Sequence, residues 1–209
     1  MINNKMLVIS LGGVGGCDLA QSLRDLNQLT HPYDWLITAQ SFILNSFNDF
    51  NNFFCFDEKY VYDQHKLLTE NKKAIMLHDF NNFILEKNTV MEKYKRRFER
   101  LNCNLNSNDI ILFVRIYDNL EETLIPNNYY DNIFIREEED IQKWDEFILS
   151  IQKKHNNNKI KLLIITSRED ICNKKYSNVI LYFTKEHKNN KVIYNIIQDT
   201  KISLLVNNF

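Results

Sequence analysis

The sequence predicts an α/β fold: a single domain over residues 1–209, built as a three-layer sandwich with a mostly parallel sheet and an antiparallel C-terminal edge. Three observations carry this. Residues 6–11, 109–117 and 160–166 are continuous apolar runs, the mark of strands covered on both faces. Helical patterns separate these runs, as parallel crossovers require. A length of 209 residues suits one core, and a net charge of −1 sets no global pull toward nucleic acid or an anionic surface.

Each element follows from a local pattern. Strand 6–11 leads into a helix over 17–28, with Leu19, Leu23 and Leu26 on one stripe. Pro32 holds His31 extended and so ends that helix before it. Residues 42–56 place aromatic side chains at helical spacing and read as a second helix, whereas 59–71 are polar and unpatterned. A short strand, 74–77, ends at His78-Asp79-Phe80. The helix over 90–102 has an apolar face of Met91, Tyr94, Phe98 and Leu101, with the pairs Glu92–Arg96 and Lys95–Glu99 in support. Its interleaved acids make the basic run Lys93-Tyr94-Lys95-Arg96-Arg97 a solvated, salt-bridged face rather than a nucleic-acid site. Residues 137–155 open on an acidic run and close on Lys153 and Lys154, as the helix dipole favours. Residues 179–184 and 191–197 read as two final strands, with 188–190 as a hairpin turn. Asn runs such as 156–158 do the turn work that glycine does elsewhere, and the richness in Asn, Ile and Lys matches an AT-rich genome of a virus or parasite.

Sites in such sheets form at the carboxyl ends of the strands, where Gly12, Gly13, Gly15, Gly16, His78 and Arg115 all fall. The chain has 4 glycines and all lie in that one loop, so there the backbone needs special conformations or close approach. Three readings follow. Free N–H groups at a helix start suit a phosphate, nucleotide or nucleotide-sugar, with Arg115 in support; however, Ser10 stands where an adenylating-enzyme turn has glycine, and no acidic residue follows a second strand about 20 residues on. Alternatively, Cys17 at the helix start is a thiolate nucleophile, with oxyanion donors in the loop. The third reading is a tight turn with Cys17 as a small apolar residue. His78 suits a general base, and either Asp34 or Asp79 could orient it. Pro32-Tyr33-Asp34-Trp35 reads as a rigid wall beside the loop or a packed corner.

Cys17, Cys55, Cys103 and Cys172 show neither metal spacing nor a CxxC pair, which reads as reduced thiols of a cytoplasmic protein with no metal and no cofactor. No apolar run approaches the roughly 18 residues of a membrane span.

Six motifs, taken in order, resemble a known family. They are Ile9-Ser10-Leu11-Gly12 with a Cys after it, Leu23-Arg24, Pro32-Tyr33-Asp34-Trp35, His78-Asp79-Phe80, Glu92-Lys93-Tyr94-Lys95-Arg96-Arg97-Phe98 and Leu112-Phe113-Val114-Arg115. This set is similar to the uncharacterised proteins of bacteria and large DNA viruses classed as papain-like cysteine peptidases. Their pattern runs SLG-x-x-C, LR, P-F-D-W, HD, EKY-x-RR and LF-x-R. The likeness spans residues 7–117. It implies a cysteine-dependent hydrolase with Cys17 as nucleophile, His78 as base and Asp34 or Asp79 as the acid, acting on a peptide or small acyl substrate. It also implies a papain-like α+β fold. The chain departs from the pattern in the extra residues 13–16 before Cys17. A viral chain with an inactive site that binds a host protein is the remaining reading.

Overall fold

The computed structural model describes residues 6–13, 16–25, 29–54, 61–63, 66–68, 73–76, 79, 82–107, 109–117, 138–187 and 189–206. Its main sheet is parallel throughout: β1 (Met6–Gly13), β6 (Ile110–Tyr117), β7 (Ile160–Thr166) and β8 (Val179–Phe183), side by side in that order. The α/β class read from the sequence is therefore the observed one, and the sheet follows the apolar strand pattern rather than the papain-like alternative.

Strand pleating sorts the side chains of this sheet between two cores. Ile110, Leu112, Val114 and Ile116 of β6 face one side with Val8, Leu163 and Ile165. There they meet Leu19 and Leu23 of α1 (Gly16–Asp25) and Ile193, Ile196 and Ile197 of α6 (Asn190–Val206). Ile111, Phe113 and Tyr117 face the other side with Ile9, Leu11, Leu162 and Ile164. That larger core is closed by α2 (Gln40–Ser46), α3 (Phe50–Phe53), α4 (Phe83–Leu105) and α5 (Ile141–His155).

Beside β1 lies a second, antiparallel sheet of three-residue strands. Its order is β2 (Leu36–Thr38), β5 (Ala74–Met76), β4 (Lys66–Leu68) and β3 (Val61–Asp63). Leu36 and Met76 pair across it and both enter the larger core. Residues 74–76 of the run 74–77 are thus a strand of the small sheet, not of the parallel one, and the polar stretch 59–71 holds two strands where none was expected. The antiparallel C-terminal edge is corrected as well. Strand β8 is parallel to β7, and residues 190–206 form helix α6 instead of a last strand. Ile193, Ile196 and Ile197 recur at helical spacing and bury one stripe, which a β-branched run conceals from a propensity reading.

Asparagine does replace glycine at turns. Asn156 closes α5 in the left-handed conformation at φ +48, and the Asn82 side chain caps α4 by accepting from the Leu85 N–H. The glycines are reserved for one place. Gly12 and Gly13 have φ +69 and +113. A Cβ on Gly12 would lie 2.7 Å from Thr38 Oγ1, and one on Gly13 would lie 2.4 Å from the carbonyl oxygen of Ile116. Gly13→Ala is expected to destabilise the chain by at least about 2 kcal/mol, since a left-handed penalty adds to a clash with backbone that cannot move away. Urea unfolding checks this; a Gly13→Ala midpoint equal to wild type contradicts the packing.

Candidate functional site

Two polar centres flank β2, and between them they collect most of the motifs picked out in the sequence. The first is built on Arg115. Its pleat parity with Ile111, Phe113 and Tyr117 turns it into the larger core, where it is 1% exposed. All five of its N–H groups donate. Nε donates to Glu139 Oε1 at 2.7 Å, and one Nη2 hydrogen goes to the same oxygen. The other Nη2 hydrogen goes to the Thr38 carbonyl at 2.8 Å. Nη1 donates to the Leu11 carbonyl at 2.9 Å and to Thr38 Oγ1 at 3.0 Å. The guanidinium lies 5.2 Å from the Trp144 ring centre, and Trp144 Nε1 donates to the second Glu139 oxygen. A charge this deep is tolerable because every donor is satisfied and one carboxylate neutralises it. This arrangement leaves Arg115 no donor for a ligand.

Gly12 and Gly13 also have a packing reason to be glycine, in the close approach of β2 and β6. The β1–β6 register slips between Ser10 and Gly13, and Ser10 Oγ accepts the Gly12 N–H at 2.9 Å inside that irregularity. Gly15 lies outside the described residues. Gly16 opens α1 and Cys17 follows it in the first turn, directly after the carboxyl end of β1. The first-turn N–H groups of a helix have no intrahelical acceptor, so this position suits a developing anion.

The second centre joins the Pro32-Tyr33-Asp34-Trp35 corner, Asp79 and one face of α4. Lys93, Arg97, Arg100 and Asn104 recur at helical spacing on that face. Asp79 has a buried side chain and is fully committed: Lys93 Nζ and the Tyr94 hydroxyl both donate to it, and Arg97 Nη1 stands 4.0 Å away. Burial and the Asp79 charge hold the Tyr94 hydroxyl well above its ordinary range. Arg97 stacks over the Tyr94 ring at 4.8 Å. Arg100 donates to the Thr30 carbonyl, and Asn104 Nδ2 sits 3.0 Å from His31 Nε2. Burial, then the Arg100 charge, push the His31 ring down to about 4.

Asp34 is different. Its Oδ2 accepts the His31 N–H at 2.7 Å, but its Oδ1 is buried without a hydrogen-bond partner among the described residues; Arg97 Nη1 likewise lacks a hydrogen bond and has only its ion pair with Asp79. Burial pushes the Asp34 carboxyl up to about 7, against the pull of Arg97 and Arg100. The next residue, Trp35, is held at φ +66, a conformation that costs a bulky side chain of order 1–3 kcal/mol. Strain, a buried orphan acceptor and a raised carboxyl thus coincide at two consecutive residues.

His78 lies outside the described residues, between the end of β5 and Asp79. Of the acids named from the sequence, the structure therefore separates a saturated one, Asp79, from an open one, Asp34. Thr38 and Glu139 were not singled out from the sequence, and nothing in their local pattern marks them. Among the described residues no group of three or more His, Cys, Asp or Glu side chains is arranged to hold a metal, and no helix is long and apolar enough to cross a membrane. No family model, curated protein or solved structure matches the chain.

The two buried groups at this corner act on stability in opposite senses. His31 binds its proton more weakly when folded, so its contribution is lost as pH falls from about 6.5 toward 4. Asp34 holds its proton more tightly when folded, so stability is lost as pH rises from 3.8 to about 7. Across pH 4 to 6.5 the two slopes offset each other. Asp34→Asn removes one of them, and its stability relative to wild type is expected to rise with pH by up to about 4 kcal/mol between pH 4 and 8. Denaturant titrations at four pH values check this; a constant difference contradicts the buried, raised carboxyl.

Proposed function

We propose that the chain is a cysteine-dependent hydrolase working by acyl transfer on a peptide or small acyl substrate. Cys17 is the nucleophile, His78 the base and Asp34 the carboxylate that orients the base. The observation that carries the reading is the position of Cys17 in the first turn of α1, at the carboxyl end of a parallel strand. Helix α1 packs against β2, and β2 pairs with β5, so the thiol-bearing helix and the strand leading to His78 share one support. Met76, the last residue of β5, lies opposite Leu36, two residues from Asp34. Asp34 rather than Asp79 takes the orienting role, because Asp79 is spoken for by Lys93 and Tyr94.

In this mechanism His78 accepts the Cys17 thiol proton and the thiolate attacks the acyl carbon. The carbonyl oxygen becomes an oxyanion facing N–H groups at the start of α1. The tetrahedral species collapses, the leaving group departs with the proton from His78, and an acyl-thioester remains on Cys17. Water, deprotonated by His78, attacks the thioester, releases the acid and returns the proton to sulfur. An imidazolium beside Asp34 stabilises the ionised carboxylate, so the proton Asp34 holds in isolation is displaced when the base is charged.

Phosphate or nucleotide binding by the loop draws no specific support, since Arg115, Gly12 and Gly13 have other duties. Iodoacetamide alkylation followed by peptide mass analysis tests the hydrolase reading. Cys17 is expected to react at least about tenfold faster than the exposed Cys103 at pH 7. His78→Ala should abolish that advantage, and Asp34→Asn should reduce it more than Asp79→Asn does. Equal labelling of Cys17 and Cys103 in the wild-type chain contradicts the nucleophile.

A further inference from the structure

We propose that Arg115, acting through Thr38, is a positioning residue that sets the direction in which β1 delivers the loop to Cys17. The proposal rests on the reading of Cys17 as nucleophile.

A side chain at this parity in β6 faces Ile, Leu, Phe and Trp, and an aliphatic residue would fill the space without desolvating a charge. What an aliphatic residue cannot do is hold backbone oxygens. The Leu11 carbonyl sits where the β1–β6 register slips, and it accepts instead from Arg115 Nη1 at 2.9 Å and from Thr38 Oγ1 at 3.1 Å. The next two residues are Gly12 and Gly13 with positive φ, and α1 starts at Gly16. Thr38 is also the nearest obstacle to a Cβ on Gly12, and the Arg115 Cγ lies 3.5 Å from the place a Cβ would take on Gly13. The torsions that launch the loop are therefore bracketed by the Thr38 hydroxyl at Gly12 and by the Ile116 carbonyl at Gly13, with the Arg115 stem in ordinary contact beside it. Glu139 fixes the guanidinium in turn. Its neighbour Asp140 caps α5 and exchanges two hydrogen bonds with the Gln40 side chain, so the bracket is tied to two helix starts.

A merely structural tie and a positioning tie differ in where their loss is felt. Thr38→Val keeps the shape and removes the hydroxyl; Thr38→Ser keeps the hydroxyl. Both are compared with wild type by hydrogen exchange of backbone amides and by the pH profile of Cys17 alkylation with iodoacetamide. For Thr38→Val, exchange of the α1 amides beyond its first turn, residues 20–25, is expected to rise about tenfold while β7 stays protected. The alkylation midpoint should move up by about half a pH unit or more, because a loosened helix start stabilises a thiolate less. Thr38→Ser should match wild type in both. Unchanged exchange at α1, an equal rise in β7, or an unmoved alkylation midpoint each overturns the proposal. If Thr38→Val does not fold, Arg115→Lys, which keeps the charge but not the five-donor fork, replaces it under the same criteria. The hydrolase reading fails separately, through wild-type Cys17 reacting no faster than Cys103; a rise in exchange confined to α1 without a moved midpoint would leave a structural tie between Thr38 and the loop and overturn the positioning role.

Discussion

One buried guanidinium couples the parts of this molecule that no continuous hydrogen-bond ladder connects. The small antiparallel sheet shares no ladder with the parallel one among the described residues. Arg115 spans the gap by donating to Leu11 on β1 and Thr38 on β2, and Glu139 answers its charge from just before α5. A partly satisfied guanidinium in that core would be strongly destabilising, whereas a fully satisfied one fixes geometry in three directions at once. The glycine pair and the slipped register of β1 lie beside that fixed point.

The second polar centre follows the opposite rule. Around Asp79 the donors and acceptors close on themselves, but among the described residues Asp34 Oδ1 has no hydrogen-bond partner, beside a residue with strained backbone. Structural networks complete their hydrogen bonds, and groups held unsatisfied mark places where chemistry or a further partner is accommodated. The contrast assigns the two centres different work. Arg115 holds the frame, and the Asp34 corner is the one to which the proposed mechanism assigns a role.

The legible parts of the sequence were those written over at least seven residues. The apolar runs of β1, β6 and β7 gave strands and a parallel sheet, and the acidic-to-basic polarity of residues 137–155 gave α5. Strands of three residues, such as β2 and β5, are too short to show a period, so the second sheet was not expected. Helix α6 was misread because its isoleucines have strand propensity, and only their spacing reveals the helix. Arg115 was read as a ligand group on account of its place near a strand end. Its parity with Ile111 and Phe113 was available in the sequence and points inward, but the carboxylate that makes such burial possible lies 24 residues away. The stripe Lys93, Arg97 and Arg100 was likewise visible, and only tertiary packing turned Arg97 from a solvated face into the interior while leaving Lys95 and Arg96 outside. That both flanking motifs, the corner at 32–35 and Asp79, meet this one helix face could not be read from any of them alone.

The central claim is that the groups around Arg115 behave as one unit although some do not touch. A double-mutant cycle between Thr38→Val and Glu139→Gln, read by chemical denaturation, tests it most directly. Both residues bond Arg115, Thr38 through Nη1 and Nη2 and Glu139 through Nε and Nη2. A unit gives non-additive losses, with a coupling energy between about 0.5 and 3 kcal/mol. Additivity within about 0.3 kcal/mol would show two independent contacts and contradict the account.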